Sequence, residues 1–153
     1  MNLGKLPRSA GVVIHDGFGR LLLQKREQKK TIYFPGLWGV FGGACNDGEH
    51  PKDAARREII EELAIDKQHN FRYLFHLSIQ SPDLGEVRER HFYCTQFSKD
   101  DLDNIQLYEG ETYQLFSPNR LPKPIDFVPF DLAAILMYTY SKLECRQIRP
   151  QLT

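Results

Sequence analysis

A chain of 153 residues is about one domain's length, and a hydrophobic content of 41% supplies a core without disulfide or metal staples. Its 20 basic residues balance 20 acidic ones and form no long basic run, which excludes nonspecific nucleic-acid binding. Cys45, Cys94 and Cys145 are scattered and odd in number, which argues against a disulfide framework or a paired zinc site and fits a reducing cytoplasm.

The first residues carry no apolar leader, and no apolar run approaches the about 18 residues of a membrane span. The expectation is one domain over residues 1–153 with no membrane partner. Pro7 to Lys25 predicts a strand, a turn and a strand: Ala10–Ile14 is small and β-branched, His15–Gly19 supplies turn residues, and Leu21–Lys25 follows. His15 reads as a surface residue flanking the turn. Lys29 and Lys30 read as a solvated loop tip. Arg26 ends the strand beside the segment that leads into a glycine pair, so it is a candidate to reach a phosphate. An aromatic stretch with a turn at Pro35-Gly36 comes next, and Leu37–Phe41 reads as one buried strand entering Gly42-Gly43. Trp38, the single tryptophan, either packs in the core or stacks on a base or sugar, since it buries a large area in both cases. Tyr33 and Phe34 would also suit a base.

A helix is predicted from Pro51, which fits a first helical position, with His50 or Asp47 as its cap. At about 100° per residue, Ala55, Ile59 and Leu63 share one side, and Glu58, Glu61 and Glu62 share a neighbouring one. Carboxylates that close repel by a few tenths of a kcal/mol per pair, and the C-terminal half of a helix disfavours anions. A divalent cation removes the conflict, because hard cations take several carboxylate oxygens; Mg²⁺ or Mn²⁺ held this way usually also holds substrate phosphates. The competing reading is a solvated acidic face.

Beyond the helix, Phe71–Ile79 and Glu89–Phe97 predict two strands of a hairpin around a turn at Pro82-Asp83-Leu84-Gly85. His76 and His91 fall where they could approach each other and read as sheet residues. Arg88 and Arg90 open the return strand and are candidates for an anionic ligand. Lys99–Asp103 reads as a short polar helix or loop, and Tyr113–Phe116 as a strand. Pro129 starts a last helix over Phe127–Ser141, whose spacing of Leu132, Ile135, Leu136, Tyr140 and Leu143 predicts an apolar face packed on the sheet. The tail from Arg146 to Thr153 reads as polar and frayed.

Gly43, Glu49, Arg57, Glu58, Ile59, Glu61, Glu62 and Ile65 match, gap for gap, the pattern G-x5-E-x7-R-E-U-x-E-E-x-G-U, with U aliphatic. This stretch resembles the signature of the Nudix hydrolases. Two departures stand out. Ala64 occupies the place of a glycine that normally ends the helix, and Phe41 stands where many members have proline before the glycine pair.

The resemblance implies an α/β fold in which a mixed sheet is sandwiched between helices, the signature helix on one face and the last helix on the other. It implies hydrolysis of a diphosphate linkage in a nucleoside diphosphate joined to another group, a nucleoside triphosphate or nucleotide sugar foremost. Glu61 and Glu62 would bind Mg²⁺ or Mn²⁺ with the backbone carbonyl of Gly42 or Gly43. Glu58 would bind metal or act as base, and Arg57 would hold the carboxylates, through Glu49 among others. An acidic loop after the signature supplies a further carboxylate in similar proteins, here Glu109 or Glu111. Substrate contacts fall to Arg26, Trp38, Arg90 and Glu111. The partner is a small nucleotide, and a homodimer is compatible with the fold. Two alternatives remain: a catalytically weak domain that senses a nucleotide or nucleotide sugar, and an isoprenoid diphosphate isomerase, for which the chain looks short and its cysteines unpatterned.

Overall fold

The computed structural model describes residues 6–66, 70–80 and 85–147, with 142–147 described by backbone alone. The expected turn through Pro82-Asp83-Leu84 and most of the expected tail lie outside these residues. The elements in order are β1 (Arg8–His15), β2 (Leu21–Lys25), β3 (Trp38–Gly39), β4 (Phe41–Ala44), α1 (Pro51–Leu63), β5 (Arg72–Gln80), β6 (Val87–Gln96), α2 (Lys99–Asp103), β7 (Thr112–Phe116) and α3 (Pro129–Gln147).

β1 is the centre of the sheet. It runs parallel to β6 over its full length, from Arg8 opposite Glu89 to His15 opposite Gln96. It is antiparallel to β4 through Ser9–Val12 and to β2 through Ile14 and His15. β2 in turn pairs antiparallel with β3 and β7, and β5 forms the expected hairpin with β6. The sheet is mixed, as the sequence implied.

Strand alternation splits the core into two layers. Val12 and Ile14 of β1, Leu22 of β2 and Tyr93 of β6 pack with Ala54, Ala55, Ile59 and Leu63 of α1. Val13, Leu21, Leu23, Phe92 and Cys94, one position out of phase, pack with Ala134, Ile135 and Tyr138 of α3. One helix therefore covers each face.

Four local expectations change. The single strand expected over Leu37–Phe41 is two short ones. The segment crosses from β2 to β1, and at the crossing the Val40 N–H leaves the ladder and donates to Asp131 Oδ2 at 3.1 Å. His15 is half-buried rather than on the surface, because β1 ends under α3 and its ring stacks on Tyr138 with centroids 5.6 Å apart. α3 extends to Gln147, and its buried stripe is Asp131, Ala134, Ile135 and Tyr138, while Leu136 and Tyr140 are exposed. The stripe is rotated because it includes an acid, whose burial hydropathy alone does not foresee.

The fourth concerns the end of α1. His50, not Asp47, caps its start, its Nδ1 accepting from the Lys52 N–H at 3.1 Å. Ala64 ends it in the left-handed region at φ 57° and ψ 28°, its N–H donating to Ile60 O. Alanine thus takes the conformation that glycine adopts without a steric penalty. That penalty is about 1–2 kcal/mol, partly offset by glycine's extra freedom in the unfolded chain. Ala64→Gly is therefore expected to raise unfolding stability by up to about 1 kcal/mol, read as a higher urea midpoint at unchanged slope; a lower midpoint would contradict the strain.

Candidate active site

The glycine pair comes first because the backbone demands it. Gly42 has φ 134°, and a Cβ there would lie 2.1 Å from the Ala10 carbonyl oxygen. At Gly43 a Cβ would meet the Glu58 carboxylate at 2.6 Å, so the missing side chain is what lets that carboxylate lie against β4.

Arg57 ties the signature together. Its Nε and Nη2 donate to the two carboxylate oxygens of Glu49 at 2.9 and 3.0 Å. Nη1 donates to Glu58 at 2.8 Å and to Glu61 at 3.1 Å, and Nη2 also reaches the Ala44 carbonyl at 2.9 Å. Loop, strand and helix meet on one guanidinium, a geometry that lysine does not reproduce. The repulsion expected among the three glutamates is thus relieved at Glu58 and Glu61 by Arg57.

Glu62 is different. It is 2% exposed, and among the described residues its hydrogen bond comes from the Gly42 N–H, at 2.9 Å to Oε2. Burial, with repulsion from Glu58 and Glu109, pushes its carboxyl up to about 8 despite the Gly42 bond and the attraction of Arg90. Burial also raises Glu58, with Arg57 pulling it back and Glu61 and Glu109 adding repulsion. Glu61 is exposed. Among the described residues no three of His, Cys, Asp and Glu converge closely enough to hold a metal, since Arg57 and the Gly42 amide hold these carboxylates apart. The donor chemistry nonetheless fits a hard cation: every candidate is an oxygen, and among the described residues the buried Glu62 makes no ion pair.

Beside Gly42 and Gly43 opens a cleft of about 280 Å³. It brings together Arg26, Arg90 and Glu109 of the expected residues, with Arg88. Arg57, Glu58, Glu61 and Glu62 stand at its Gly42–Ala44 edge, outside the lining. Trp38 is half-buried edge-on against Phe116, ring centroids 4.9 Å apart, and does not line the cleft. Glu111 does not line it either, and lies 3.8 Å from Lys25 Nζ. Tyr33 and Phe34 form an aromatic wall with Phe130, Phe34 holding a left-handed φ of 53°.

The sequence reading missed Asp131. It is 2% exposed, accepts from Arg90 Nε at 3.0 Å, and holds the Val40 amide with its other oxygen. An acid in the first turn of a helix reads as a dipole partner; nothing in the sequence shows that it reaches β6. Arg90 therefore lines the cleft as a guanidinium already paired on one edge.

Removing the Asp131 carboxylate leaves a largely buried cation unpaired and a buried N–H unsatisfied. Asp131→Ala is expected to destabilise by about 3–5 kcal/mol in denaturant unfolding, with a loss below about 1 kcal/mol counting against the anchor. For Glu62, the folded-state value of about 8 exceeds the ordinary 4.5, so the folded chain binds the proton more tightly. Its contribution to stability is complete at pH values below the ordinary value and is lost as pH rises through about 8. Thermal midpoints of the metal-free protein should fall across that window, and Glu62→Gln should flatten the fall; equal slopes in both proteins would contradict the buried charge.

A family model described as NUDIX domain matches residues 5–136. Over 58 residues, 38% of this chain, the sequence is 40% identical to an uncharacterized Nudix hydrolase of Yersinia pestis, covering 32% of that protein. Over 138 residues, 79% of this chain, it is 28% identical to the isopentenyl-diphosphate delta-isomerase of Schizosaccharomyces pombe, covering 56% of that one. The matches thus span less than two thirds of these relatives' own lengths. The solved MutT NUDIX hydrolase from Burkholderia pseudomallei aligns with a TM-score of 0.72 at 25% identity, over 87% of this chain and 98% of that one. With the family match running through the sheet, the glycine pair, the Arg57 cluster and the first turns of α3, this chain belongs to the Nudix hydrolase family.

Proposed function

We propose that the protein is a divalent-metal-dependent pyrophosphohydrolase that cleaves a diphosphate linkage in a nucleoside triphosphate or nucleotide sugar. The observation that carries this reading is Glu62: a buried carboxylate, repelled by Glu58 and Glu109, beside a cleft with three arginines. Glu58, Glu61, Glu62, the Gly42 or Gly43 carbonyl and Glu109 would hold Mg²⁺ or Mn²⁺. The bound ion would neutralise phosphate oxygens and make a water more acidic.

The chain's own residues supply the rest. Arg57 fixes Glu58, which accepts the proton of the attacking water; its burial raises its basicity. Arg26 and Arg88 contact phosphate oxygens at the open side of the cleft. Arg26 is oriented by donating Nε to the Tyr33 carbonyl at 2.8 Å. Tyr33 and Phe34 offer the base a face to stack on, the role first considered for Trp38. Attack on phosphorus then needs positioning and charge neutralisation, and this arrangement provides both.

The isomerase, set behind the sensing domain in the sequence, gains support because the Schizosaccharomyces pombe relative aligns over 79% of the chain. Neither Cys45 nor Cys94 lines the cleft. The test is turnover with Mg²⁺ of nucleoside triphosphates, nucleotide sugars and dinucleoside polyphosphates, with deuterium exchange into an allylic diphosphate run in parallel. Phosphate or nucleotide release is expected, with Glu58→Gln lowering kcat by about 10²–10⁴-fold and Glu62→Gln abolishing the Mg²⁺ response. Full activity in Glu62→Gln would reject the assignment, deuterium uptake without hydrolysis would favour the isomerase, and tight nucleotide binding without turnover would indicate a sensor.

A further inference from the structure

The sheet carries a second concavity on its α1 face. This groove of about 490 Å³ is lined by Arg8, His50, Lys52, Tyr73, His76 and His91 among others, and it shares no lining residue with the cleft. Strand alternation separates the two: Arg8 and His91 line the groove, while their chain neighbours Ser9 and Arg90 line the cleft.

Its chemistry is one-sided. Three of the chain's five histidines line it, and among the described residues no Asp or Glu does. Of the acids nearby, Glu49 is engaged outside the groove, Glu89 is engaged on a groove histidine, and the exposed Asp53 acts electrostatically on Tyr93. Glu49 gives both carboxylate oxygens to Arg57, and Glu89 hydrogen-bonds His91 at 3.2 Å. Lys52 is exposed and has no ion pair among the described residues. Because His50 Nδ1 accepts from the Lys52 amide, a neutral His50 carries its proton on Nε2, as a donor. Arg8 spends Nη2 on the Glu49 carbonyl at 2.8 Å, and among the described residues its other side-chain N–H groups make no hydrogen bond.

The histidines are organised rather than scattered. His76 and His91 are directly paired across β5 and β6, and their rings stack with centroids 5.0 Å apart. The Tyr73 hydroxyl is 2.8 Å from His76 Nδ1. A metal centre does not account for them, since among the described residues no three of His, Cys, Asp and Glu gather closely enough. Burial lowers the His91 pKa, and His76 and Arg8 lower it further against the pull of Glu89, so the His91 ring favours its neutral form. N–H donors and cations without a lining carboxylate match a ligand presenting several anionic oxygens.

We propose that this groove is a second ligand site, separate from the cleft, that takes a phosphoryl group, free or carried on an organic molecule, with Arg8, Lys52, His50 and His76 as its donors. Arg8 joins the site to the Arg57 cluster, because the Glu49 whose carbonyl it holds is the residue whose carboxylate braces Arg57.

The test titrates inorganic phosphate, and AMP in parallel, into the full chain in metal-free buffer, following histidine imidazoles by ¹H–¹⁵N NMR. Saturable shifts of His76 and His91 are expected in the wild type and equally in Glu58→Gln, which removes the proposed base of the cleft. Lys52→Gln and His76→Gln, both at exposed positions on different elements, should each weaken binding about tenfold, the loss of one charge-assisted hydrogen bond. AMP binding tighter than phosphate assigns an organic phosphate resting on Tyr73, and equal affinities assign free phosphate. Shifts that stay linear with concentration, that ignore both groove variants while the variants remain folded by circular dichroism, or that vanish in Glu58→Gln would overturn the second site.

Discussion

The arrangement depends on one guanidinium. Arg57 lies among three carboxylates and a strand carbonyl, and its contacts come from three parts of the signature: Glu49 from the loop, Ala44 from β4, Glu58 and Glu61 from α1. Hydrogen bonding to Glu49, then to Glu58, holds it firmly protonated against the cost of its partial burial. The same bond pulls Glu49 below the usual carboxylate range. A planar fork with donors on two edges serves several acceptors at once. Without it, like charges on adjacent turns of one helix would have only water to separate them.

The cluster sits where it does because of β1. A strand paired along its whole length with β6, and at its two ends with β4 and β2, leaves its side chains no direction but the two faces. Alternation then sends Val12 and Ile14 under α1 and Val13 under α3. β4 pairs so closely with β1 that only glycine fits opposite Gly11, and the amide of that glycine, Gly42, is left to meet Glu62. The buried carboxylate is thus a consequence of sheet pairing as much as of helix sequence. α3 contributes from the other face through Asp131, which fixes both the Arg90 side chain and the crossing of the chain at Val40.

The two faces end up with different chemistry. The cleft on the α3 side mixes arginines with a ring of aromatic residues and meets the acidic cluster at Gly42 and Gly43. The groove on the α1 side carries cations and histidines without a lining carboxylate. A chain with 20 acidic and 20 basic residues is neutral only in sum. Its charges are sorted by the alternation of β1 and β6, which is what the proposed metal-assisted chemistry of one face and the proposed anion site of the other rest on.

Much of this was legible in the residues alone. The spacing of Ala55, Ile59 and Leu63 placed α1 and its buried side, Pro51 its start, and the matched pattern from Gly43 to Ile65 the family. Local chemistry suffices for these, because helix periodicity, caps and glycine requirements act within a few residues. Other features came only with the tertiary structure. Burial of Glu62 but not Glu61, the turning of Trp38 onto Phe116, the rotation of α3 to bury Asp131, and the gathering of His76 and Arg8 around one groove each involve residues far apart in the chain. A sequence states which side chains share a helix face or a strand parity. Which of those faces loses its water, and which charge it finds there, is decided when the elements pack, since desolvation and pairing belong to the partner surface and not to the residue.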